Sequence, residues 1–108
     1  MLVECRGCRR EVLDDREALE EALRAAARAI GATVISAAFH AFSPHGVTGV
    51  LLLAESHLSI HTWPEYGYSA VDLFTCGNSD PRAALPVLRE ALACELAFQS
   101  VERSMLGP

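Results

Sequence analysis

Apolar residues recur along this chain with two different periods, and each period marks out its own elements. Leu19, Ala22, Leu23, Ala26 and Ile30 fall on one face of a helix, with Arg16, Glu17, Glu20, Glu21, Arg24 and Arg28 left for solvent. Asp14-x-x-Glu17 has the spacing of a capping box at its start, and Gly31 suits the position just past its end. A second helix is predicted from Asp80-Pro81, a capping residue followed by proline at the first helical position, with Ala84, Leu85, Leu88, Ala91 and Leu92 inward. Pro86 falls inside that pattern and removes one backbone hydrogen bond, which predicts a bend.

Between the helices the period shortens to two. Thr33–Phe42 alternates at its ends, and Ser43-Pro44-His45-Gly46 is a turn cluster. Val47–Ala54 is a continuous apolar strand. Ser56–Trp63 alternates, Pro64-Glu65-Tyr66-Gly67 turns, and Tyr68–Thr75 returns. Leu96–Glu102 reads as a last strand and Leu2–Cys5 as a short first one. The order β-α-β-β-β-β-α-β predicts an α+β fold, a two-layer sandwich of an antiparallel β-sheet with two helices on one face. No repeats or linkers interrupt it, and Met105–Pro108 reads as a frayed tail.

Composition narrows the class. A chain of 108 residues makes one domain, residues 1–108, and 51% apolar with 21% charged residues describes a soluble globular protein. No apolar run approaches a membrane span and the first residues lack a signal-peptide pattern, so the expected compartment is cytoplasmic. The net charge of −5 argues against a nucleic-acid footprint and is compatible with a cationic ligand. Cysteines in that compartment are reduced. Cys5-Arg6-Gly7-Cys8 lacks the second ligand pair of a zinc site, so it reads as small hydrophobes leaving a strand, and Cys94 as a core filler. His57 and His61 share a strand face but stand about 13 Å apart, too far for one ion, and no metal is expected. His45 reads as a hydrogen-bonded structural residue, Trp63 as an interface or core aromatic, and Glu65 by default as a solvated turn acid. His40 shares a face with Phe42 and fits either a structural or a functional role.

Chemistry concentrates in the middle third, at Glu55-Ser56-His57-Leu58-Ser59-Ile60-His61-Thr62-Trp63-Pro64-Glu65 with Cys76 beyond. If Pro64–Gly67 is a hairpin loop, Trp63 faces Tyr68, and counting outward sets Ser56 opposite Thr75 and beside Cys76. No nucleophile elbow, P-loop or dinucleotide fingerprint competes for the site. This run, with His40–Pro44, Gly46–Gly49 and Ala70–Gly77, resembles the S-adenosylmethionine decarboxylases, the small prokaryotic-type proenzymes. The resemblance runs from about Leu2 to Val101. Members of the family usually carry several further residues, often including a His and a Gly, ahead of the position of Leu2.

The resemblance implies autocatalytic cleavage between Glu55 and Ser56 into a 1–55 β chain and a 56–108 α chain. Ser56 becomes a pyruvoyl group, the only cofactor expected, whose ketone forms a Schiff base with the substrate amine. It further implies that His61 assists processing, Thr48 stands where a serine helps position the cleaving bond, and Cys76 donates the proton in decarboxylation. Glu65 would hold the substrate ribose hydroxyls and Phe42 would stack on adenine. The implied activity is decarboxylation of S-adenosylmethionine to the aminopropyl donor of spermidine biosynthesis. Two alternatives stay open: decarboxylation of a basic amino acid, ornithine or arginine, and a non-processing regulatory homologue.

Parity adds an expectation about assembly. Ser56 and His61 are five apart and face opposite sides of a regular strand, and Thr48 and Ser56 on one continuous strand would lie about 27 Å apart. Convergence is therefore expected across a two-fold homodimer interface. Ser56 and Cys76 would come from one subunit, and Thr48, His61 and Glu65 from its mate.

Overall fold

The computed structural model describes residues 1–54, 56–75 and 80–96. The strands are β1 (Leu2–Arg6), β2 (Val34–Ala41), β3 (Val47–Leu53), β4 (His57–Trp63), β5 (Tyr68–Phe74) and β6 (Glu95–Leu96). The helices are α1 (Arg10–Leu13), α2 (Arg16–Ala29) and α3 (Leu85–Leu92), with single 3-10 turns at Pro64–Tyr66 and Pro81–Ala84. The strands form one sheet in the order β2-β3-β4-β5-β1-β6, every adjacent pair antiparallel. This is the expected α+β sandwich, with the short α1 added and the last strand starting at Glu95; residues 97–102 of the expected last strand and the tail after them lie outside the described residues.

Alternation along each strand divides the sheet into two faces. Val3, Cys5, Val47, Leu51, Leu58, Ile60, Val71 and Leu73 point to the helices and are buried with Leu19, Leu23, Leu88 and Leu92. Gly49 lies on this face because the Phe39 ring of β2 occupies the space a Cβ would need. The other face carries Thr48, Val50, Leu52, His57, Ser59, His61, Trp63, Tyr68, Ala70, Asp72 and Phe74, and no helix of the described residues covers it. Four large apolar side chains there, Leu2, Val50, Leu52 and Trp63, are between 37% and 51% exposed. An antiparallel sheet that faces only water alternates to polar on its outer side. This one interrupts its polar positions with those four exposed apolar side chains, which marks a surface suited to a partner.

Three local expectations are corrected. The α2 cap is Asp15, whose carboxylate accepts from the Ala18 N–H at 3.1 Å, because Asp14 is drawn away to the Gly46 N–H at 2.9 Å. Asp80 caps a 3-10 turn, not an α-helix. The α-helix starts at Leu85, so Pro86 lies in its first turn, where no intrahelical bond is lost and no bend follows. A bulge between Val34 and Ser36 leaves Ile35 60% exposed. Gly31 does end α2, with φ +71°, its own N–H on the Arg28 carbonyl and that of Ala32 on the Ala27 carbonyl.

Candidate active site

Ser56 sits where β3 turns into β4. The Leu53 N–H donates to the Ser56 carbonyl at 2.8 Å and closes the connection between the two strands. The Ala54 N–H donates to the Thr33 carbonyl at 2.9 Å and ties the same turn to the start of β2. Ser56 has the parity of Leu58 and Ile60, the helix-side face. Its Oγ is buried and has no hydrogen-bond partner among the described residues. Such a hydroxyl costs about 1–3 kcal/mol, so an orphan here calls for a chemical reason.

The register of β4 against β5 runs from Trp63–Tyr68 to His57–Phe74, and its next step sets Ser56 against Thr75. Glu55 and Cys76, the expected cleavage partner and proton donor, lie outside the described residues. At the far end of the hairpin Thr48 pairs with His61, and Thr48 Oγ1 lies 3.0 Å from His61 Nδ1 on the open face. His61 is five residues from Ser56, about 17 Å at ~3.4 Å per residue. The 27 Å expected between Thr48 and Ser56 is corrected, since β3 ends at Leu53 and folds back. Five strand steps, again roughly 17 Å, separate Thr48 from that turn. Thr48 and His61 therefore meet within one protomer, and Ser56 stays at the opposite end.

Phe42 and Glu65 lie at the Thr48–His61 end. Phe42 is 51% exposed and its ring meets His40 edge-on at 4.6 Å between centroids. Glu65 rides the 3-10 turn after β4, where Arg10 Nη2 donates to its carbonyl at 3.1 Å and His45 Nε2 lies 2.6 Å from its Oε2. The Glu65 carboxyl is held below the usual carboxylate range, first by its own backbone N–H and, against some desolvation, by His45. Between the ends, His57 Nε2 lies 3.4 Å from Asp72 Oδ2. Asp72 and His61 also line an open-face concavity of about 350 Å³ with Glu4, Ser59 and Tyr68.

Three contributors carry no individual signal in the sequence. Thr62 sits in a strand pattern, yet its buried hydroxyl joins Val47 to Leu13. His45 has no visible link to Glu65, and Asp72 is one position of the Ala70–Gly77 stretch with no role of its own assigned. Only the alternating pattern that turns Asp72 toward His57 could have flagged the last.

An antiparallel sandwich whose β3–β4 connection carries a serine with a buried hydroxyl, unpartnered among the described residues, and whose open face carries a hydroxyl–imidazole pair, has the groups a self-processing enzyme would use. A family profile described as S-adenosylmethionine decarboxylase matches residues 1–104. An S-adenosylmethionine decarboxylase proenzyme of Thermosipho melanesiensis is 50% identical over 93 residues, 85% of this chain and 72% of that protein. A Pseudomonas aeruginosa protein of the same name is 52% identical over 109 aligned positions, covering 99% and 68%. The crystal structure of the adenosylmethionine decarboxylase from Aquifex aeolicus superposes with a TM-score of 0.82 at 37% identity, over 95% of this chain and 91% of that one. The chain belongs to the S-adenosylmethionine decarboxylase family.

Proposed function

We propose that this chain is a proenzyme that cuts itself between Glu55 and Ser56 and then decarboxylates S-adenosylmethionine. The observation that carries the reading is the buried Ser56 hydroxyl, unpartnered among the described residues, with Ala54 and Ser56 each tied to a neighbouring strand segment. The Ala54 N–H is held on the Thr33 carbonyl and the Ser56 carbonyl on the Leu53 N–H, so the residues on either side of Glu55 are fixed relative to the sheet.

Processing then follows in balanced steps. Ser56 Oγ adds to the carbonyl carbon of Glu55 and the C–N bond breaks, leaving an ester and a free amine. Removal of the Ser56 Cα proton expels the Glu55 carboxylate from Cβ and leaves dehydroalanine, which water hydrolyses to a terminal pyruvoyl group with loss of ammonia. Ser56 fits this role because its buried hydroxyl is bonded to none of the described residues. The pyruvoyl carbonyl would supply the electron sink for decarboxylation of an amine-bearing substrate.

His61 is the group we assign to assist processing. The 3.0 Å bond to Thr48 fixes its ring whichever partner carries the proton, and Thr48 keeps the hydroxyl this position needs. Glu65 and Phe42 are assigned to the ribose and adenine of the substrate, and Cys76 to proton return. The distance of about 17 Å from Ser56 to His61 favours a homodimer in which each site joins the turn of one protomer to the Thr48–His61 end of its partner. The exposed Leu2, Val50, Leu52 and Trp63 on the open face offer the surface for it. The product would serve as the aminopropyl donor for spermidine, in the cytoplasm.

Intact mass under denaturing conditions tests processing. Two fragments, residues 1–55 and a 56–108 piece carrying a ketone in place of its amine, are expected, and a single full-length species refutes the reading. Side-by-side assays with S-adenosylmethionine, ornithine and arginine test the substrate. Mixing Ser56→Ala with His61→Ala chains tests sharing: mixed dimers should regain processing at one site, and none would do so if each protomer were self-sufficient.

A further inference from the structure

We propose that His45 is a positioning residue that holds the Glu65 carboxylate in the orientation needed to accept hydrogen bonds from a vicinal pair of ligand hydroxyls. The inference rests on the assignment of Glu65 to substrate made above.

His45 and Glu65 are twenty residues apart, on two connections that are each anchored independently. The β2–β3 connection is tied down by the Gly46 N–H on Asp14 Oδ1 at 2.9 Å and by the Phe42 N–H on the Gly46 carbonyl at 2.7 Å. Gly46 has φ +101°, and a Cβ there would meet the Thr62 carbonyl oxygen at 3.2 Å, so the close docking needs glycine. The 3-10 turn bearing Glu65 is held by Arg10 at 3.1 Å and closed by the Gly67 N–H on the Pro64 carbonyl at 3.1 Å. The 2.6 Å contact between His45 Nε2 and Glu65 Oε2 thus joins two fixed points.

The two side chains line one concavity of about 320 Å³ with Arg10 and Asp14, and both remain about a third exposed, at 38% and 36%. A ligand can therefore reach the carboxylate while His45 holds it. An ionised carboxylate has about four lone-pair sites. His45 engages one of them, which leaves room for two hydroxyl donors. Without His45 the carboxylate regains its rotamers and each binding event must freeze them again. A half-exposed charged hydrogen bond of this kind is worth a factor of roughly 3–10 in affinity.

The test compares processed wild-type enzyme with His45→Ala, His45→Leu, His45→Gln, Glu65→Gln and the His45→Ala/Glu65→Gln pair. It measures KM and kcat with S-adenosylmethionine and the Kd of 5′-methylthioadenosine, which has the diol but no amine to react, and of its 2′-deoxy analogue. His45→Ala and His45→Leu should each raise KM and the Kd of the diol ligand about five-fold with kcat unchanged. His45→Gln, which keeps a donor, should restore most of the loss. The penalty should vanish with the deoxy analogue and in the Glu65→Gln background. An unchanged Kd in both His45 variants, while Glu65→Gln weakens binding, overturns the inference and leaves the Glu65 assignment standing. Losses that persist in the Glu65→Gln background, or a fall in kcat alone, overturn it too. If Glu65→Gln itself leaves KM and Kd unchanged, the assignment of Glu65 fails and takes the inference with it.

Discussion

Thr62→Val should be among the more destabilising single changes on the helix side of β4, although it preserves shape. Thr62 is 6% exposed and its hydroxyl serves two partners that no other described group satisfies equally. It accepts from the Val47 N–H at 2.8 Å and donates to the Leu13 carbonyl at 2.7 Å, with the Val47 carbonyl a longer 3.3 Å away. Val47 and Leu13 are themselves buried, at 1% and 0%, so water cannot replace the lost hydroxyl without opening the junction. Valine leaves one buried donor and one buried acceptor unpaired at about 1–3 kcal/mol each. Some relaxation brings the expected cost to about 2–4 kcal/mol. For a domain of this size that corresponds to a fall in Tm of roughly 10–25 °C. Thr62→Ser keeps both bonds and loses one methyl, at about 1 kcal/mol. Urea unfolding of both variants at one fixed protein concentration checks this, because a dimer's apparent stability depends on concentration. A Thr62→Val midpoint within about 0.5 kcal/mol of wild type, or a serine as costly as valine, would refute the reasoning.

Thr48→Val should slow self-cleavage about five-fold by freeing the His61 ring, with Thr48→Ser near wild type; a denaturing-gel time course with equal rates for all three would count against the hydrogen bond. Burial, reinforced by Cys94, pushes the Cys5 and Cys8 thiols up to about 12. An unfolded thiol ionises near 8.5, so with rising pH the unfolded chain loses its protons first. Stability should therefore be full below about pH 8.5 and fall between there and about 12, and urea midpoints that hold level from pH 7 to 10.5 would contradict it. Gly49→Ala should cost about 1–3 kcal/mol, since its Cβ displaces the Phe39 ring from β3; Phe39→Ala in the same background should recover part of that, and a neutral Gly49→Ala would show that the ring moves freely.

Where a feature depends on neighbours in sequence, it was legible. The turn at Pro64–Gly67 placed Trp63 against Tyr68 and carried the register to His57 and Phe74, because an antiparallel hairpin without a bulge allows no other pairing. The same parity put His57 and His61 on one face and Ser56 on the other. Gly31 ended α2 through its own left-handed backbone. Choices between equivalent residues were not legible. Asp14 and Asp15 are the same side chain at adjacent positions, and only the distant Gly46 N–H decides which of them caps α2. Pro86 fits a bent helix as well as the first turn of a shorter one, and the 3-10 turn before it selects the second.

Local sequence is enough for the two periodicities, the order of the main strands and helices, and the β4–β5 register. All of these follow from local sterics and from which side chains leave water. That Thr48 reaches His61, that His45 reaches Glu65, and that Thr62 joins Leu13 to Val47 depends on how distant segments dock. Those contacts span between 13 and 49 residues, and they exist only once the helices and connections dock on the sheet. Alternation can say which way a side chain points. It cannot say what will be packed there to meet it.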